Sequence, residues 1–212
     1  MNQTIDIIAK ILSVALYPLF IPTYGIALFC YVFSRQVYPL PAAWSVIAIL
    51  GTLILTCILP ITAIWILMKR GKVQDLYIEN ASERTVPYVY AVVGFLFWCY
   101  LLISVLHAPV YINCIAVGAT IAIGLVAFIN RSWKISAHLT GFGGFIGGLM
   151  SYCLGTGTMP SWGMLLLWMV LSLLLMCARV RLRAHTPEQV CVGWLTGIAA
   201  TFIPYCIISY AA

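Results

Sequence analysis

Charge is what this sequence has least of. Asp, Glu, Lys and Arg make up 8% of its 212 residues, five acids against eleven bases, while 64% of the chain is hydrophobic. Mean hydropathy is +1.07. A water-soluble domain of this size cannot cover itself with so few solvated groups, so the solvent is lipid. The shortage is also uneven. No charged residue falls between Lys10 and Arg35, Arg35 and Lys69, Arg84 and Arg131, Lys134 and Arg179, or after Glu188. The polar/apolar alternation of a membrane barrel strand is missing from these stretches, which are apolar all round, so the class is all-helical. Met1 to Asp6 lacks a basic start, which argues against a cleaved signal peptide, and the first segment is expected to remain as an anchor. Cysteines at zinc-finger spacing are missing too: Cys30, Cys57, Cys99, Cys114, Cys153, Cys177, Cys191 and Cys206 each sit in an apolar run and read as small packing residues.

A helix needs about 20 apolar residues to cross the hydrocarbon core, so the charge-free gaps convert into crossings. One span follows Lys10. A second runs from about Ala42 to Met68, because Tyr38-Pro-Leu-Pro41 is a poor helix start. Two lie between Arg84 and Arg131 with a break at His107-Ala-Pro109, two lie between Lys134 and Arg179 with a break near Gly155 to Pro160, and one follows Glu188. The expected fold is an all-α polytopic transmembrane bundle of about seven spans in a single domain, residues 1–212. Six is the alternative if Pro18 and Pro22 make the first segment irregular, since an interior proline removes a helix hydrogen bond.

Seven spans place three charged loops on one membrane face: Lys69 to Arg84, Arg131 to His138 and Arg179 to Gln189. They hold nine of the eleven basic residues and two of the three histidines. Topology alone collects Lys and Arg in cytoplasmic loops. Two of the loops, however, also combine a histidine with nearby cations at the mouth of a span, which suits an anion. The net charge of +6 does not imply nucleic acid, because no soluble basic domain carries it.

The third loop reads Ala178-Arg-Val-Arg-Leu-Arg-Ala-His185-Thr-Pro-Glu-Gln189, followed by Gly193. Pro187 suits a first helical turn, which leaves His185 just before a helix N-terminus, where open amides and the dipole favour an anion. Arg179 can grip two phosphoryl oxygens with its planar fork. The second loop reads Arg131-Ser-Trp-Lys-Ile-Ser136-Ala-His138, and Ser136 adds a donor at another helix start. The glycines at 141, 143, 144, 147 and 148 read first as a helix-packing surface. In the first loop Arg84 stands immediately before a span, while Lys69, Arg70 and Lys72 read as interfacial anchors.

An Arg, then Ser-x-His, then Arg-x5-His, over three loops on one face, resembles the type-2 phosphatidic acid phosphatase superfamily. Its motifs are Lys-x6-Arg-Pro, Pro-Ser-Gly-His and Ser-Arg-x5-His-x3-Asp. The resemblance spans Asp75 to Gly193, and the segment 69–193 holds every motif residue. The third motif matches as Ala178-Arg179, His185, Gln189 and Gly193, the second as Ile135-Ser136-Ala137-His138. The first departs, with Tyr77 in the place of the Lys and Pro87 two places late. The resemblance implies that His185 attacks phosphorus to give a phosphohistidine and that Gln189 orients its ring. It implies that His138 protonates the leaving alcohol and then activates water, and that Arg84, Arg179 and Ser136 stabilise the transferring phosphoryl group. It implies no metal and no other cofactor. Gln189 accepts a hydrogen bond from a histidine but brings no charge to an imidazolium, and an Asp to Asn change in a serine-protease triad costs about 10⁴ in rate. Glu188 is rotated by about 100° from it on the helix and points elsewhere. Lys72 or Lys134 can stand in for the missing Lys.

The expected function is therefore hydrolysis of a lipid phosphate, of the phosphatidate, phosphatidylglycerophosphate or polyprenyl diphosphate class, by an enzyme whose partners are membrane lipids. The rivals are a degenerate site that binds anionic head groups without turnover and a transporter with an anion site. Mid-span charges and repeated broken helices would mark the transporter, and neither stands out. A haem carrier fits worse, since His107 lies on the face opposite His138 and His185. The expected location is a bacterial inner membrane with the charged loops cytoplasmic, because the basic excess persists when Arg84, Lys134 and Arg179 are left out of the count.

Overall fold

Proline and glycine set most of the helix boundaries. The computed structural model describes residues 3–33, 39–73, 85–159 and 162–211. These form eight helices, with no strand among the described residues: α1 (Gln3–Ala15), α2 (Ile21–Leu28, continued by wide i to i+5 turns over Phe29–Phe33), α3 (Ala42–Lys69), α4 (Thr85–Ser104), α5 (Val110–Ile129), α6 (Ala137–Thr156), α7 (Trp162–Arg181) and α8 (Pro187–Ala211). Pro41 and Pro109 stand just before α3 and α5 in extended backbone, and Gly157, at φ +66°, ends α6 in the left-handed conformation that glycine adopts without strain. Pro60 inside α3 has no N–H to donate, and the helix opens into wide turns over Leu53–Ile58 on its N-terminal side.

Five helices are long and apolar enough to cross a membrane: α3, α4 from Val86 to Ser104, α5, α7, and α8 from Pro187 to Ile208. α6 is less apolar because lipid hardly touches it. It is about 30 Å long at 1.5 Å per residue, and it is wrapped by α2, α5, α7 and α8, with His138, Leu139, Phe142, Leu149 and Tyr152 all buried. The chain is an all-α integral membrane bundle.

The tightest contact is α6 against α8. A Cβ on Gly143 would strike the Trp194 carbonyl, one on Gly147 the Ile198 carbonyl, and one on Gly197 the Thr140 carbonyl; at Gly193 it would sit 2.7 Å from the Ser136 carbonyl oxygen. Glycines four apart on both helices thus bring the backbones together. The contact is then tied by hydroxyls: Thr201 Oγ1 donates to the Gly144 carbonyl at 2.9 Å, and Ser151 Oγ to the Thr201 carbonyl at 3.1 Å. The packing reading of Gly143 and Gly147 holds. α5 joins from the other side, with Gly118 against Ala200 and Thr201.

The first segment departs from the expected single span. The chain breaks between Leu16 and Phe20, leaving α1 apart from α2. α1 has two faces: Asp6, Lys10 and Ser13 share one at i, i+4 and i+7, whereas Ile7, Ile8, Ile11 and Val14 are exposed on the other. An apolar face turned outward and a polar face turned inward belong to a helix seated against lipid. The first crossing falls instead to α2. It starts beside the charged loops, and Phe29 reaches Tyr152 near the far end of α6. There Trp44, at the start of α3, donates to the Leu106 carbonyl at 2.8 Å. Crossing parity is that of seven spans, with a shortened first one.

The α6–α8 contact sets a stability test. Gly197→Ala is expected to cost about 1–3 kcal/mol through overpacking, read as a lower melting midpoint in detergent. Gly124→Ala, where a Cβ meets nothing within 4 Å, should leave the midpoint unchanged. Equal midpoints for both variants would contradict the contact.

Candidate anion site

The N-termini of α6 and α8 lie side by side because the glycine contact brings them there, and the Ser136 N–H donates to the Gln189 carbonyl at 3.3 Å. Each start is closed by its own residues. Thr186 and Gln189 form a reciprocal cap: the Thr186 N–H donates to Gln189 Oε1 at 3.1 Å, and the Gln189 N–H to Thr186 Oγ1 at 3.4 Å. Ser136 Oγ accepts from the Leu139 N–H at 3.5 Å. The amides that the sequence left open for an anion are partly taken by these caps, and α8 contributes its field more than its donors. Ser136 is fully buried. It does not line the cavity described next, and its visible task is to cap α6.

Gln189 does more than cap. His185 Nδ1 lies 3.3 Å from the same Oε1, an acceptor, so Nδ1 donates, which in the neutral tautomer puts the lone pair on Nε2. The Oε1 assignment follows from its bond to the Thr186 amide, which only an oxygen can accept. His138 is set differently. It is 6% exposed, Nε2 lies 3.1 Å from the Ser13 carbonyl oxygen, and Tyr17 meets the ring edge-on at 5.6 Å between centroids. Nε2 therefore donates to α1. The charge of Arg179 and the ring of His185 are both close enough to act on His138.

These groups surround the mouth of a cavity of about 720 Å³. Lys10, Lys134, Arg179, Arg183, His138 and His185 all line it, and no Asp or Glu does among the described residues. Four cations and two imidazoles lining one cavity suit an anion. No three metal-ligating side chains gather among the described residues. Of the two candidate stand-ins for the missing Lys, Lys134 reaches the cavity and Lys72 does not. Lys69 lies over the Trp65 ring at 3.8 Å, an interfacial anchor. Arg84, with the Gln74 to Glu83 stretch, lies outside the described residues. His107 sits in the far loop at φ +46°.

α1 is the part that sequence reasoning missed. Lys10, Ser13 and Tyr17 recur at i, i+3 and i+7, the signature of one helix face, and all three line the cavity. Asp6, on the same face, pairs with Arg181 at the end of α7 at 2.8 Å and holds α1 across the mouth. Ser13 is 5% exposed, and its Oγ has no hydrogen-bond partner. A buried hydroxyl at the rim of a cationic pocket is poised to donate to an occupant.

Comparison with protein-family models, with curated proteins and with solved structures finds no match to this chain.

Arg183 combines a left-handed backbone with a place at the cavity mouth. It ends α7 at φ +53°, a left-handed conformation that disfavours any residue with a Cβ, yet it is an arginine at the cavity mouth. Arg183→Gly is expected to stabilise the fold by about 1 kcal/mol by relieving that strain, and to weaken binding of inorganic phosphate several-fold. A variant that binds phosphate as well as the wild type would remove Arg183 from the site.

Proposed function

We propose that the protein is a membrane-embedded phosphatase acting on a lipid phosphate through a phosphohistidine on His185. The observation that carries this reading is His185 itself, held by Gln189 with Nδ1–H committed and the lone pair on Nε2, at the start of α8 and on the wall of a cationic cavity. That is the tautomer a histidine nucleophile needs. In the first half-reaction Nε2 attacks phosphorus, the bond from phosphorus to the lipid oxygen breaks, and His138, acting as an imidazolium, gives a proton to the departing alkoxide and is left neutral. In the second, water attacks phosphorus while returning a proton to His138, the P–N bond breaks, and inorganic phosphate leaves with His185 restored. Arg179 with Lys134, and Arg84 by the resemblance, spread the charge of the transferring group. Ser136 serves by holding the start of α6.

His138 must change partner to do this, since its Nε2–H is engaged by the Ser13 carbonyl. A shift of α1 supplies that freedom. The same contact, together with the uncharged Gln189, favours a second reading in which the site binds anionic head groups without turnover. The basic loops support a bacterial inner membrane with the mouth on the cytoplasmic side.

Release of phosphate from a panel of lipid phosphates in detergent separates these readings. Wild type is expected to turn over, His185→Ala to lose all turnover, and His107→Ala to stay near wild type. Gln189→Asp is expected to raise the rate by at least tenfold, because a carboxylate stabilises the imidazolium that Gln189 only orients. Turnover by His185→Ala would exclude the nucleophile, and a wild type inactive on every lipid would favour binding alone.

A further inference from the structure

Behind the cationic mouth the cavity is lined largely by apolar side chains. On α4 it is lined by Ala91, Phe95, Trp98 and Leu102, successive positions of one helical stripe that begins at Pro87. At 1.5 Å per residue, the stripe from Pro87 to Leu102 runs about 22 Å into the bundle. α5 answers with Ala116, Ala119 and Ala122, whose small side chains leave the lumen open. α3 faces it with Thr52 and Thr56, and both hydroxyls fold back, at 2.7 Å, on the Ala48 and Thr52 carbonyls. The polar atoms of this wall are thus spent within the helix, and the lumen receives methyl groups. Its far end is closed by large buried residues: the Trp98 ring fills the notch that Gly51 leaves by lacking a Cβ, and Leu102, Ile112 and Phe29 complete the floor.

We infer that this lumen houses the hydrocarbon chain of the phosphate lipid, one chain threaded inside the bundle with its head at His185 and its end on the floor that Trp98 shares with Leu102, Ile112 and Phe29. The inference rests on the phosphatase reading for the head group only. A cavity of about 720 Å³ whose lining passes from four cations to apolar side chains matches an amphiphile with a single anionic head. Its depth selects the chain. A lumen of about 22 Å is deeper than one leaflet, half of the roughly 30 Å hydrocarbon core. The occupant therefore reaches past the bilayer midplane, which suits a long single chain such as a polyprenyl or long alkyl phosphate, and the floor around Leu102 sets the limit.

α4 itself provides the test, because its two faces see different surroundings. Trp98 is 6% and Leu102 2% exposed on the lumen side, whereas Val93 and Tyr100 are 56% and 58% exposed on the other. The probe is hexadecylphosphonate carrying a diazirine on its terminal carbon, photolysed with the full chain in lipid nanodiscs, and its insertion site read by peptide mass spectrometry. Label on Trp98, Leu102 or Ile112, displaced by unlabelled hexadecylphosphonate, is expected. Ala119→Phe, which fills the lumen, should remove most of it, and Trp98→Ala should move it towards Phe29. Label confined to Val93, Leu96 or Tyr100, or unchanged in Ala119→Phe, would overturn the lumen assignment. The readout needs no hydrolysis: lumen label with no turnover on any lipid phosphate sinks the phosphatase reading alone, and turnover with label on the outer face sinks the lumen alone.

Discussion

Everything at the mouth depends on how closely α6 and α8 approach. Gly143 and Gly147 on one helix and Gly193 and Gly197 on the other remove the side chains that would hold the backbones apart. In lipid there is no hydrophobic drive to press helices together, so close packing and inter-helix hydrogen bonds must do it, and Thr201 and Ser151 supply the bonds. The result is two helix starts in register. Ser136 and Gln189 meet backbone to backbone, and His138 and His185, each near one of those starts, face the same cavity. A change of a few tenths of an ångström at Gly197 would be felt at both histidines.

The site is organised by residues with double duties. Gln189 caps α8 and orients His185 with one oxygen. α1 carries an apolar face to lipid and a polar face to the mouth, tethered by Asp6 to Arg181 and by the Ser13 carbonyl to His138. Exposed pairs of the Asp6–Arg181 kind contribute about 0–1 kcal/mol, so α1 is held lightly. Light tethering fits a helix that must release His138 during turnover.

Much of the fold was legible in the charge gaps. Arg84 to Arg131 and Lys134 to Arg179 each bound a helical pair, and the breaks at His107 and Gly157 fall where the sequence places them. His185, Arg179, His138 and Lys134 line one cavity. Other features were hidden for physical reasons. Counting from Lys10 treated the first residues as flank, although Asp6, Lys10 and Ser13 already marked a helix face. Ser136 reads as a phosphate donor by type, but it is buried and its oxygen accepts from the Leu139 N–H. The lumen leaves no trace in sequence: small residues on α5 look alike whether they admit a helix, as Gly118 does, or leave space, as Ala119 does. Only the arrangement of the other helices decides.

The central claim is that His185 carries phosphate between the two half-reactions. Incubating the protein with a radiolabelled lipid phosphate, quenching in alkali, where phosphohistidine survives, and mapping the labelled peptide by mass spectrometry tests it directly. The account predicts phosphate on His185, lost in His185→Ala and, once formed in His138→Ala, slow to leave, because the water-activating ring is gone. Turnover with no label on His185, or label on another residue, would contradict it.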